Sequence, residues 1–269
     1  MVVSSRSDRS PRARVVAVVA AVLLAAVGLG AGVALVNLVA LVLPAVGVPI
    51  TRGLSLVLSL VFVQGIGVLL VAGAYLWWTG RGRSFVGVRV PTTRDLVWIV
   101  SGYVLAMVAN FGVGIARLLL GVESAQNSVI DIVLPQPELL LLLIPASFLL
   151  VGPGEELLFR GIVQGRLRES FGPIVGIGLA TLIFIVVHYP SLTGTPEGRA
   201  VYIAGLALPA LVFAVAYEAT DNVVVPAVIH GAYNATLFAL AYVALTYAPE
   251  GGTQMETAAV EAALLFLPF

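Results

Sequence analysis

Three clusters of polar residues lie inside hydrophobic segments of this 269-residue chain, and together they contain both of its histidines. The clusters are Glu155-Glu156-x-x-x-Arg160, Phe184-x-x-x-His188 and His230-x-x-x-Asn234. An ionisable side chain at membrane depth is costly, and it marks a functional site by default. Carboxylates and imidazoles can move protons, and imidazoles and amides can stabilise an oxyanion. Three such clusters on three segments predict one polar site assembled between helices.

The first cluster offers two carboxylates with different surroundings. Glu156 and Arg160 are four residues apart with the acid first, which favours an ion pair on a helix and offsets part of the cost of burial. Glu155 is rotated by about 100° from Glu156 and is not served by the same arginine. We interpret Glu155 as a candidate general base and the pair as structural support. The alternative is that both carboxylates are solvated at the cytoplasmic end of a span.

The two histidine clusters lie on later segments. His188 is one helical turn after Phe184, whose ring can pack against the imidazole, and the alternative is an interfacial histidine facing headgroups. His230 and Asn234 share one helix face near the middle of the last predicted span. Two hydrogen-bonding groups aimed at one point can stabilise an oxyanion, whereas the structural alternative is an interhelical hydrogen bond.

Other polar residues in the apolar segments are interpreted as contacts between helices. They are Ser55, Ser59, Gln64, Ser101 and Asn110. Glu218 and Asp221 flank a short turn, where we expect solvated or capping side chains, with Glu218 a weaker candidate for supporting the site.

Composition places these clusters in a membrane protein. The chain is 60% hydrophobic and 10% charged, which is more apolar than a soluble domain needs. It contains no cysteine, so disulfides and thiolate metal ligands are excluded. At about 20 apolar residues per span, the prediction is an all-α polytopic transmembrane bundle of seven to eight spans. The seven predicted spans are 15–43, 54–78, 96–120, 139–160, 173–189, 200–219 and 223–247.

The predicted organisation has three parts. Residues 1–14 form an Arg-rich cytoplasmic tail, residues 15–257 form the transmembrane domain, and residues 258–269 form an apolar segment that is partial or interfacial. All basic residues are arginines, and most fall on one side if the N-terminus is cytoplasmic. The positive-inside rule therefore predicts a cytoplasmic N-terminus in a cell membrane. This side includes Arg160, Arg166 and Arg168, whereas Arg52, Arg117 and Arg199 fall outside.

The order of the three motifs resembles that of the CAAX protease and bacteriocin-processing (CPBP, Abi/CAAX-type) family of intramembrane metalloproteases. The resemblance covers about residues 140–240, and every motif position is present. It implies an intramembrane endopeptidase in which Glu155 and His188 activate a water. His230 and Asn234 would form the oxyanion site. In eukaryotic relatives the substrates are prenylated C-terminal peptides.

The resemblance leaves the role of a metal open. It implies structural roles for Glu156 and Arg160, but it does not decide whether a metal takes part. Glu155, His188 and His230 could bind zinc or another divalent metal as a His₂Glu set with water in the fourth position, and a metal-free base is equally compatible. The His-Glu-x-x-His and Gly-x-Ser-x-Gly motifs of other hydrolases are absent.

Two other functions fit the same residues. The first is a small ion- or proton-coupled transporter, because carboxylates and histidines form proton relays, although the internal repeats of transporters are missing. The second is a non-catalytic immunity or scaffold membrane protein. The expected partners are membrane lipid and an unidentified peptide or membrane-protein substrate, and no nucleic acid is expected.

The predicted spans create one conflict. At 1.5 Å per residue, Glu155 falls near the inner face of the membrane and His188 nearer the outer face. The two can meet only if the fourth span is longer than predicted or the fifth begins deeper. The joint site therefore depends on the true length of these two helices.

Overall fold

The computed structural model describes residues 10–247. The segment 258–269, expected to be partial or interfacial, and most of the Arg-rich tail lie outside the described residues. The helices are α1 (Pro11–Ala45), α2 (Arg52–Trp78), α3 (Arg83–Val86), α4 (Thr93–Leu120), α5 (Val129–Val133), α6 (Leu139–Phe171), α7 (Pro173–Val186), α8 (Pro196–Thr220) and α9 (Val224–Tyr247). Two short antiparallel strands, β1 (Gln126–Asn127) and β2 (Leu192–Thr193), pair with each other.

Seven helices within residues 10–247 are long and apolar enough to cross a membrane. They are α1, α2, α4, α6, α7, α8 and α9, with the turn after α7 included in its span. The all-α polytopic bundle predicted from composition is confirmed, and the chain is an integral membrane protein. Helices suit this setting because they satisfy their backbone hydrogen bonds internally.

The fourth span is longer than predicted. It runs over Leu139–Phe171 and ends where Gly172 adopts a φ of 82°, after which Pro173 begins α7. The prediction stopped at Arg160 because a charge normally ends an apolar segment, but this arginine is fully buried and paired, so the helix continues. Glu155 therefore lies near the middle of α6 and not at its inner end.

Burial decides two of the alternatives for the first cluster. Glu155 is 6% exposed and Glu156 is 0% exposed, so the interpretation of both as solvated carboxylates is wrong. Arg160 is also 0% exposed and does not belong to the cytoplasmic set of charges. The sequence count included it because spacing predicts the ion pair with Glu156 but not the burial of that pair.

Widened helical turns surround the first cluster. The backbone is π-helical over Leu60–Gly67 in α2, and over Ser147–Val151 and Leu157–Gln164 in α6. Turns of this kind occur frequently at functional sites. The two stretches in α6 flank the segment Gly152–Glu156, which carries both glutamates.

Two glycines let α6 approach its neighbours at this segment. A Cβ on Gly152 would lie 2.6 Å from the carbonyl oxygen of Ala227 in α9, and a Cβ on Gly154 would collide with the backbone carbonyl of Gln64 in α2. Backbone atoms cannot give way as a flexible side chain can. The Gly-Pro-Gly sequence before Glu155 therefore sets the spacing between α6, α2 and α9.

Loops meet at each end of the bundle. At one end, the Val223 amide before α9 donates to the Gly87 carbonyl after α3 at 3.2 Å. At the other end, the Ser128 amide beside β1 donates to the Ser191 carbonyl beside β2 at 2.8 Å. These contacts hold the segment after α7 against the segment that links α4 to α5.

Candidate active site

All three clusters contribute to one cavity of about 670 Å³. Glu155, His188, His230 and Asn234 line it, and α1 and α2 supply about half of the apolar remainder of its wall. The conflict in depth disappears because the longer α6 places Glu155 in mid-helix, beside the end of the α7 span. The structure therefore brings the three clusters together around one cavity, as predicted.

Glu156 connects α6 to α9. Its Oε2 accepts a hydrogen bond from Arg160 Nε at 2.9 Å, and its Oε1 accepts one from His230 Nδ1 at 2.8 Å. Because a carboxylate accepts only, Nδ1 of His230 carries a hydrogen and Nε2 is left for the cavity side. The ion pair matches the spacing in the sequence, but the bond to His230 joins residues 74 positions apart and no local pattern announces it.

Aromatic rings fix the buried imidazole and guanidinium. The Phe213 ring stacks on His230 with centroids 4.8 Å apart and planes 19° apart. The guanidinium carbon of Arg160 lies 4.8 Å from the Phe184 ring centroid, within the range of a cation–π contact. Phe184 also meets His230 edge-on at 6.2 Å. His230 and Arg160 are therefore held by aromatic packing as well as by Glu156.

Glu155 has different partners from its neighbour. Its Oε1 accepts a hydrogen bond from Gln64 Nε2 at 2.7 Å, and its Oε2 lies 4.0 Å from His230 Nε2. Gln64 does form a contact between helices, as interpreted from the sequence. The sequence did not show that its partner is the candidate base Glu155. No periodicity in the second span distinguishes Gln64 from the other polar residues there.

His188 has a fixed orientation just beyond α7. Its Nδ1 lies 2.7 Å from the Phe184 carbonyl, which accepts only, so Nδ1 carries the hydrogen and Nε2 of the neutral ring is free to accept. The expected packing against Phe184 is present, with centroids 4.8 Å apart. Ser191 Oγ donates to the His188 carbonyl at 2.7 Å and receives a bond from Asn127 Nδ2 at 3.0 Å. Asn127 and Ser191 also line the cavity, and no motif or spacing in the sequence pointed to them.

Asn234 reaches the cavity with an unused group. The residue is 3% exposed, and its Oδ1 has no hydrogen-bond partner among the described residues. This oxygen therefore takes no part in a hydrogen bond between helices among the described residues. Glu218, in contrast, pairs with Arg168 at 3.4 Å and does not line the cavity.

The candidate metal ligands do not converge. Within residues 10–247, no three His, Cys, Asp or Glu side chains lie close enough together to hold a metal ion. Zinc needs its nitrogen and oxygen ligands at about 2.0–2.2 Å. The arrangement described here does not fit that set, and zinc binding by Glu155, His188 and His230 stays a prediction.

Comparison with known proteins finds a family model that matches part of the chain. A family model described as Type II CAAX prenyl endopeptidase Rce1-like matches residues 137–236. No curated protein and no solved structure matches the chain. The matched range contains all of α6, α7 and α8, the first half of α9, and all three polar clusters. The resemblance drawn from the three motifs is confirmed over residues 137–236, the segment in which this chain is similar to the Type II CAAX prenyl endopeptidases.

Proposed function

We propose that this protein is an intramembrane endopeptidase that hydrolyses a peptide bond in the cavity, with Glu155 as the general base. The observation that best supports the proposal is the setting of Glu155. One oxygen of its carboxylate is fixed by Gln64, and the other faces the cavity side of His230 at 4.0 Å. A base must be held within reach of the proton that it removes, and this arrangement provides that.

In the proposed reaction a water lies between Glu155 and His188. Glu155 Oε2 takes a proton from the water as the water oxygen bonds to the carbonyl carbon of the peptide. His188 Nε2, which can accept because Nδ1 donates to Phe184, orients the same water. The proton then passes from Glu155 to the leaving nitrogen and the C–N bond breaks. The products are a carboxylic acid and an amine.

His230 and Asn234 stabilise the oxyanion that forms in this step. His230 can donate from Nε2 only when both ring nitrogens carry a hydrogen, and the Nδ1 hydrogen is then bound by the Glu156 carboxylate. With His230 protonated, the buried set of Glu155, Glu156, Arg160 and His230 carries no net charge, which suits a low-dielectric interior. Asn234 adds its amide hydrogens as a second donor.

A cleavage assay in proteoliposomes tests the function. Purified protein is mixed with two peptides, one spanning the bilayer and one ending in Cys-aliphatic-aliphatic-X with a prenyl group. We expect internal cleavage of at least one of them. Replacing His230 with Ala is expected to lower kcat by about 10²–10³-fold, because one oxyanion donor is lost.

The same proteoliposomes address the alternatives. Glu155-dependent ion flux without cleavage of either peptide would favour a transporter and would contradict the proposal. Loss of cleavage on chelation, restored by added zinc, would support the predicted zinc site instead of a metal-free base. Activity that persists after chelation, in protein that metal analysis finds to be metal-free, would support a mechanism in which Glu155 and His188 act without a metal.

We also propose that the N-terminus lies in the cytoplasm. The loop after α2 and the inner end of α6 carry arginines and meet through Arg81 and Glu169 at 2.8 Å, so these charges lie on one side of the bundle. The excess of arginine on that side is typical of the cytoplasmic face.

Single-cysteine labelling tests this orientation cleanly because the chain has no cysteine of its own. Val48, between α1 and α2, and Val90, before α4, are 41% and 86% exposed and lie at opposite ends of the bundle. In intact cells, an impermeant maleimide is expected to label Val48→Cys and to label Val90→Cys only after lysis. The reverse pattern would place the N-terminus outside.

A further inference from the structure

Gln64 holds the candidate base from a helix outside the matched family segment. Within residues 10–247, it is the only residue that donates a hydrogen bond to the Glu155 carboxylate, at 2.7 Å. Gln64 lies on α2, whereas the family model matches residues 137–236. The contact therefore joins the matched segment to a part of the chain for which the comparison gives no role.

The amide of Gln64 has a single partner that fixes its direction. Its Oε1 is buried and has no hydrogen-bond partner in the part of the chain that the structure describes, so Glu155 alone determines there which way the amide faces. A carboxylate accepts only, and the amide nitrogen must therefore point at it. Leaving a buried carbonyl unpaired is unfavourable, and the bond to a charged acceptor is the compensating interaction.

The backbone brings Gln64 to this place. It lies within the π-helical stretch Leu60–Gly67, whose widened turn changes the direction of the side chains on α2. Gly154, the residue before Glu155, packs against the Gln64 backbone carbonyl, where any side chain would collide. Both the widened turn and the glycine keep residue 64 beside residue 155.

We propose that Gln64 is a positioning residue for Glu155, an inference that rests on the proposed function. It binds Oε1 and so leaves Oε2 as the oxygen that faces His230 and takes the proton. A glutamate side chain has three rotatable bonds, and without this bond the carboxylate can turn away from the attacking water. Small errors in the placement of a reacting group reduce the rate strongly.

The test replaces Gln64 with Met, which has a similar length and no hydrogen-bond donor. We expect kcat for peptide cleavage to fall by about 10–100-fold, as for loss of a hydrogen bond to a charged group, with KM and the unfolding temperature unchanged. Gln136→Met, at an exposed glutamine before α6, is the matched control and should behave as wild type. Gln64→Leu repeats the test if the Met variant does not fold.

A second measurement separates positioning from general support of the structure. Added to a Glu155→Gln background, Gln64→Met should cause no further loss of residual cleavage and no change in the Kd of an uncleaved peptide. A purely structural role would lower the residual cleavage and raise the Kd in that background too.

The outcomes distinguish two failures. Wild-type cleavage by Glu155→Gln would refute the proposed function itself. An inactive Glu155→Gln together with an unchanged kcat in Gln64→Met would refute only the positioning role. A fall in kcat that is fully explained by a smaller folded fraction at the assay temperature would also refute the positioning role.

Discussion

Replacing Glu155 with Gln is expected to lower kcat for peptide cleavage by about 10²–10⁴-fold, the usual contribution of a general base. An amide cannot take the proton that the attacking water must lose. The unfolding temperature should stay near that of wild type, because the Gln carbonyl can still accept the hydrogen bond from Gln64. Steady-state cleavage and thermal unfolding of the same preparation give both quantities.

The control for this variant lies on the same chain segment. Glu138 is an exposed glutamate at the start of α6, and Glu138→Gln makes the same chemical change away from the cavity. It should leave kcat and stability unchanged. If Glu155→Gln cleaved as fast as Glu138→Gln, Glu155 would not be the base.

Replacing the neighbouring Glu156 with Ala is expected to act on stability first. The change leaves Arg160, which is 0% exposed, without its buried counter-ion. Removing one partner of a buried ion pair typically costs about 3–5 kcal/mol. The unfolding free energy should fall by that amount, as measured by chemical unfolding in detergent, and His230 also loses the acceptor of its Nδ1 hydrogen.

A double variant separates the two roles of Glu156. Replacing both Glu156 and Arg160 with Met removes the charges together and fills the space with apolar atoms, so much of the stability should return. Cleavage should stay low, because His230 is no longer oriented. If Glu156→Ala unfolded at the wild-type denaturant concentration, another group would have to compensate Arg160, and the described network would be wrong.

The different expected behaviour of two adjacent glutamates shows what local sequence can predict. The four-residue spacing of Glu156 and Arg160 predicts their ion pair, which forms at 2.9 Å. Glu155 points in another direction because successive helical residues are about 100° apart. Both conclusions need only helix geometry. The gathering of the three clusters at one cavity required the order of the motifs as well, since no spacing within one helix fixes the neighbours of that helix.

Other features could not be predicted because they depend on contacts between distant segments. Gln64 and Glu155 are 91 positions apart, and the hydrogen bond arises from the packing of α2 on α6. The predicted length of α6 was wrong because a count of apolar residues cannot recognise that the charge of Arg160 is buried and compensated. The bond between His230 and Glu156 could not be predicted for the same reason, because it depends on the packing of α9 on α6.

The central claim is that water is added to a peptide bond at Glu155. The most direct measurement is cleavage in proteoliposomes prepared in H₂¹⁸O, followed by mass spectrometry of the fragments from wild-type and Glu155→Gln protein. The account predicts that the wild type produces a new C-terminal carboxylate carrying ¹⁸O, and that the variant produces almost none. Labelled fragments formed equally fast by the variant would contradict it.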